Sequence, residues 1–166
     1  MPDPLTTAND FLDQTLTPVL DEMAMNSPAA SKLLMMTATH ESMGFRYRVQ
    51  VGGPALSYYQ IEPSTLDDLY KNYLSFRPER QALLDKYLPE GMSRNEALKN
   101  NDDYATAAAR LQYSRVPEAL PDVGDNEALA KYAKQYWNTD LGAATWQNYV
   151  DSFKLYGPNP APADWA

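Results

Sequence analysis

Helix-start signals recur along this chain at short intervals, and they restrict it to a mainly helical fold. Thr6 or Thr7 can cap a first helix reaching about Met25, with Pro18 inside it predicting a kink or a break. Ser27 is a good N-cap and Pro28 suits the first helical position. Helix therefore restarts in "SPAASKLLMM" and should run to about Met43, where Gly44 stops it. Ser64 and Asp67 in "EPSTLDDLYKNYLSF" have the spacing of a capping box, repeated by Ser93 and Glu96 in "MSRNEALKN". "RPERQALLDKYL" reads as a further short helix. "DDYATAAARLQYSRV" reads as one rich in small residues and ended by Pro117 and Pro121. "DNEALAKYAKQYWN" and "GAATWQNYVDSFKLY" read as the last two.

One stretch changes character. In residues 45–62, Gly52-Gly53-Pro54 is a strong turn signal between the β-prone flanks "RYRVQV" and "SYYQI". The expected architecture is a mainly α single domain over 1–156, of about six to eight helices with at most a small β-hairpin near 46–61. A Pro-rich extended tail, 157–166, should follow, held by the domain surface or by a neighbouring molecule.

Composition narrows the chemistry. At 166 residues and 44% hydrophobic, the chain can bury one core without staples. It has no cysteine, which excludes disulfides, a thiol nucleophile and a cysteine zinc site. With a single histidine, no transition-metal site and no cofactor are expected. Acids outnumber bases 22 to 14, a net charge of −8, which disfavours nucleic acid and anionic surfaces as partners. No apolar run approaches the roughly 18 residues of a membrane span, so no membrane insertion is expected. "MPDPLTTANDF" shows neither the basic nor the apolar region of a signal peptide. Met23, Met25, Met35, Met36 and Met43 read as core gap-fillers.

One carboxylate interrupts the pattern. Ala30, Leu33, Leu34, Thr37 and Ala38 recur at helical spacing, and the next position on that stripe is Glu41. It can swing to solvent or pair with Arg46 or Arg48. Alternatively it stays against Leu34 and Ala38 at a helix C-terminus, where burial and the helix dipole both raise its pKa. A carboxylic acid protonated near neutral pH is a general acid. His40 points about 100° away around the helix, which suits a surface or supporting role.

The surrounding residues add a resemblance. "HESMGFRYRVQVGGPALSYYQIEPST" resembles the opening motifs of the lysozyme-like lytic transglycosylases of the soluble type. These carry Glu-Ser at a helix end, then a Gly-Ala-x-Gly-Leu-Met-Gln-x-x-Pro-x-Thr segment. Glu41-Ser42 match the first motif; Gly53, Ala55, Gln60, Pro63 and Thr65 match the second. "KQYWNTDLG" resembles the family's Ala-Tyr-Asn-Ala-Gly motif through Asn138 and Gly142, and "NDDYATAAARLQY" stands loosely in the place of its third motif. The likeness spans roughly 28–155, and the wording "GGPAL…YQIEPST…NYL" resembles a group of phage-encoded proteins related to these enzymes. There are departures: Ser57 replaces a Gly, Tyr58-Tyr59 replace Leu-Met, and Trp137 replaces a Tyr whose hydroxyl would bond the acid, a role Tyr136 could take.

The resemblance implies a lysozyme-like fold and cleavage of peptidoglycan glycan strands. Glu41 would be the single general acid and base, giving a 1,6-anhydro product in a lytic transglycosylase or a reducing end in a muramidase. Ser42, Tyr59, Gln60, Glu62, Tyr136, Trp137 and Asn138 would bind substrate. Glu62 has a second reading as a helix N-terminal acid, and Tyr58, Tyr59, Tyr136 and Trp137 have one as core. The acidic charge suggests a protein carried to the host cell wall as a virion component, tail-associated and attached to other virion proteins. Two alternatives stand beside this: a non-catalytic structural component of a phage particle on the same fold, and an unrelated helical adaptor with Glu41 exposed.

Overall fold

The computed structural model describes residues 6–137 and 144–166, and it is mainly helical. No strand forms among the described residues.

Thr7 caps the first helix, accepting from Asp10 N at 3.0 Å. Helix then runs without interruption through α1 (Ala8–Phe11), a π-helical turn (Leu12–Leu16) and α2 (Thr17–Glu22). The expected break at Pro18 is absent. Proline lacks the N–H of an α-helical bond, and its ring would strike the carbonyl four residues back. The wider π turn just before it removes that clash, so the chain bulges rather than breaks.

Ser27 caps α3 (Pro28–Glu41) through Ala30 N at 3.0 Å. Helical hydrogen bonding ends at Glu41, and Met43 and Gly44 turn left-handed at φ 53° and 72°. Gly44 N reaches back to Thr39 O at 2.9 Å, so Gly44 stops the helix as expected. Its lack of a side chain has a second use, since a Cβ there would lie 2.5 Å from Tyr156 Cδ1. Met43 itself is exposed and not a core filler, whereas Met23, Met35 and Met36 are buried.

The remaining helices are α4 (Pro63–Asn72), α5 (Pro78–Asp85), α6 (Arg94–Asn100), α7 (Asp102–Ser114), α8 (Asn126–Tyr136) and α9 (Trp146–Tyr156). Ser93 caps α6 through Glu96 N at 3.1 Å. The Ser64–Asp67 box does not form. Pro63 already occupies the first turn, which makes Glu62 the cap residue, without a side-chain bond. A capping box does form at Thr145 and Asn148, opening α9.

Helix α3 is the hub. Every residue from Ala30 to Thr39 is buried, so the helix has no solvent face over that stretch. The apolar stripe is one side of a helix covered all round, chiefly by α9, α8 and α7. Polar groups on it are satisfied locally: Thr37 Oγ1 donates to Leu33 O at 2.9 Å and meets Tyr113 Oη at 2.7 Å. In α7, Ala105, Ala107, Ala108 and Ala109 are buried and allow the close helix packing their size suggested.

Segment 45–62 is a loop. Two isolated antiparallel bridges, Val49 with Leu56 and Leu56 with Ile61, are all the β pairing in this segment, within the expectation of at most a small hairpin. Leu56 serves both bridges, and Ser57 and Gln60 take left-handed φ of 73° and 53°, which bends the chain before a ladder can extend. Phe45 and Tyr58 plug the loop into the core against Phe11, with ring centroids 5.0 and 5.7 Å away. Arg48 ties it to α7 through a two-pronged bond to Asp102 at 2.8 and 3.1 Å.

The tail is held by the domain's own surface. Trp165 is buried and its Nε1 donates to Ser31 Oγ at 3.1 Å. Lys32 Nζ, drawn in from solvent, donates to Trp165 O at 2.8 Å and Val123 O at 2.7 Å. This docking is at the start of α3, ten residues and so about 15 Å of helix from Glu41.

Candidate active site

Glu41 is the last residue of α3 and is partly buried. It pairs with neither Arg46 nor Arg48. Tyr149 on α9 donates its hydroxyl to Glu41 Oε1 at 2.9 Å. Burial raises the Glu41 pKa to about 7; the Tyr149 hydrogen bond and the positive charge of Lys134 on α8 pull against it without cancelling it. The carbonyl end of α3 adds a field of the same sign as burial.

The carboxyl opens into a cleft of about 430 Å³. Its walls are Gln50, Ala55, Gln60 and Ile61 from the loop, Glu62 and Thr65 from the start of α4, Gln112 from α7, and Tyr136 and Trp137 at the end of α8. Three primary amides, a threonine hydroxyl and two aromatic rings around a carboxyl of raised pKa can accept a chain of hydroxyl and amide groups.

The expected site residues divide. Glu41, Gln60, Glu62, Tyr136 and Trp137 meet at the cleft. Gln60 is held by its own Nε2 bond to Ser57 O at 2.8 Å. Glu62 is exposed on the rim. Trp137 stacks on Tyr113 with centroids 4.7 Å apart, and its Nε1 donates to Tyr59 O at 3.1 Å, so its N–H is turned away from Glu41.

Two expected substrate contacts are corrected. Ser42 is fully buried; its hydroxyl donates to Ala38 O at 2.6 Å and accepts from Phe45 N at 2.7 Å, closing the turn after α3. Tyr59 is also buried, its hydroxyl bonded to Thr106 Oγ1 at 2.9 Å. Ser42 faces inward as the C-cap of α3, and Tyr59 does so between the left-handed residues Ser57 and Gln60. Asn138, like Gly142, lies outside the described residues.

Tyr136 does not take the role of the missing tyrosine. Burial and the neighbouring Glu118 carboxylate raise the pKa of its hydroxyl. Tyr149, 108 residues from Glu41 in sequence, supplies the hydroxyl instead. Gln50 and Gln112 were likewise not anticipated. His40 supports the arrangement: its ring lies on Tyr149, centroids 4.1 Å apart, and its Nδ1 meets Ser152 Oγ at 3.2 Å. Burial lowers the His40 pKa, favouring the neutral ring.

No group of three or more His, Asp or Glu side chains that could hold a metal occurs among the described residues. No described helix is long and apolar enough to cross a membrane. Set against protein-family models, curated proteins and solved structures, the chain finds no significant match in any of the three.

Proposed function

We propose that this protein cleaves glycan strands of peptidoglycan, as a lytic transglycosylase or muramidase of lysozyme-like kind, with Glu41 as its one acid and base. The observation that carries the reading is a glutamic acid with a pKa near 7 at the floor of an amide- and aromatic-lined cleft. A group half protonated at neutral pH serves in both directions.

In the first step Glu41 gives its proton to the glycosidic oxygen, and the C1–O bond breaks with positive charge developing on C1. Tyr149 stabilises the carboxylate left behind. In the second step a hydroxyl attacks C1 and its proton returns to Glu41. The sugar's own 6-hydroxyl gives the 1,6-anhydro product; water gives a reducing end. Neither course needs a second carboxylate nucleophile, and Glu62 on the rim is available to orient water in the hydrolytic one. Gln60, Gln50 and Gln112 offer donors and acceptors to hydroxyl and acetamido groups, and Tyr136 and Trp137 offer ring faces.

Ser57 supports the likeness. It stands where the resembled motif has glycine, and it adopts a left-handed φ of 73°. The same proposal places the protein in a phage virion, tail-associated, acting on the host wall beside other virion proteins. That placement rests on the wording of the loop motif and on the net charge of −8. The tail docks at the far end of α3 and does not fill the cleft, which favours an enzyme over a structural component whose groove its own tail occupies.

The test is zymography on purified peptidoglycan with the wild type and Glu41→Gln. Clearing by the wild type and none by the variant is expected, and mass spectrometry of released muropeptides separates anhydro from reducing ends. Equal clearing by both proteins would refute the assignment.

A further inference from the structure

Among the described residues, the charged and titratable neighbours of Glu41 are His40 on its own helix, Tyr149 on α9, Lys134 and Tyr136 on α8, Tyr113 on α7 and Glu62 across the cleft. Of these, Tyr149 is the one with a described hydrogen bond to the carboxyl. A tyrosine hydroxyl sits at the end of a rigid ring, so its direction is set by whatever holds the ring. On one face that holder is His40, tilted 34° to Tyr149 at a centroid distance of 4.1 Å. His40 is itself anchored to the same helix as Tyr149, by Ser152 Oγ at 3.2 Å. Adjacent residues of α3 thus grip one tyrosine of α9, His40 from its face and Glu41 from its hydroxyl.

We propose that His40 is a positioning residue for the acid: clamped to α9 at Ser152, it presses the Tyr149 ring into the orientation from which the hydroxyl reaches Glu41. The inference rests on the catalytic reading of Glu41. His40 takes no proton from substrate and acts through Tyr149 alone. The Tyr149 bond favours the ionised carboxyl, so loosening it should push the Glu41 pKa upward.

Side-chain carbon NMR of the full chain reads the Glu41 titration directly, without substrate. His40→Ala is expected to move it up by about half to one pH unit. The same change should shift the alkaline limb of the kcat–pH profile upward and leave KM for peptidoglycan within about twofold. His40→Phe keeps a flat ring on Tyr149 and should restore most of the wild-type titration. Ser152→Ala, a milder change suited to the case where His40→Ala does not fold, should move Glu41 in the same direction by less. The decisive arm is a double-mutant cycle. In the Tyr149→Phe background, where the hydroxyl is gone, His40→Ala should leave Glu41 where Tyr149→Phe alone put it. A full shift persisting in that background, or no shift in the wild-type background with the fold intact, overturns the inference. An ordinary carboxylate titration of Glu41 in the wild type, near 4.3, would instead overturn the acid reading and this inference with it.

Discussion

Replacing Glu41 with glutamine should change stability in a way that depends on pH, and the size of the effect follows from the site. In the unfolded chain the carboxyl titrates near 4.5, and in the folded protein near 7. Between those values the folded state holds a proton that the unfolded state has released. Raising the pH therefore favours unfolding by about 1.4 kcal/mol per unit. The raised pKa contributes its full stability below pH 4.5, and that contribution is lost as the pH climbs through 7. The difference of 2.5 between the two values corresponds to about 3 kcal/mol, and solvent in the open cleft brings this to roughly 2–3 kcal/mol. Glutamine keeps the shape and accepts the Tyr149 bond through its carbonyl oxygen, but it has no charge to desolvate. Glu41→Gln should thus be close to wild type at pH 4.5 and about 2–3 kcal/mol more stable at pH 8, which for a chain of this size raises Tm by roughly 5–10 °C. Urea unfolding of both proteins at half-unit pH steps, analysed with a common m-value, measures the difference. Other titrating groups cancel in that subtraction unless they touch Glu41. A difference that stays flat from pH 5 to 8 would refute the burial argument, since it would mean the carboxyl ionises as easily folded as unfolded.

Other expectations concern the parts that hold the cleft. Arg48→Ala removes the two-pronged bond to Asp102 and a cation–π contact with Tyr58 at 4.4 Å. It should cost about 1–2 kcal/mol and raise KM more than it lowers kcat, because it frees the wall carrying Gln50 and Gln60. Trp165→Ala empties a buried aromatic site and uncovers Lys32. It should cost about 3 kcal/mol by chemical denaturation and leave glycan cleavage at low temperature unchanged, since the tail docks far from Glu41. Gly44→Ala places a methyl against the Tyr156 ring at a left-handed φ. A loss of about 1–3 kcal/mol is expected, and a variant as stable as wild type would show that Tyr156 moves aside freely.

Much of the helical frame was readable in the chain because capping is local chemistry. Thr7, Ser27 and Ser93 each bond a backbone N–H three residues on, and such a bond needs nothing from the rest of the molecule. Gly44 as a stop is local for the same reason. The reading failed where a local rule met a neighbour. Pro18 is absorbed by a π turn, and Pro63 displaces the Ser64 box. The position of Glu41 on a stripe of small and apolar residues was legible, and so were Gln60, Glu62, Tyr136 and Trp137 as its company. Ser42 and Tyr59 were misassigned, because motif spacing says which residues are near and not which way they face.

The amino-acid sequence alone determined where several helices begin, through the caps at Thr7, Ser27 and Ser93, and which carboxylate stands among apolar neighbours, since both depend on contacts within a turn or two. Only the tertiary structure decided what that carboxylate meets. Tyr149 reaches it across 108 residues, the tail finds Lys32 across 133, and α3 is sealed on all sides because α7, α8 and α9 close over it. Burial, and the pKa it sets, belongs to the packed whole: water is excluded by many segments at once, and no one of them encodes that alone.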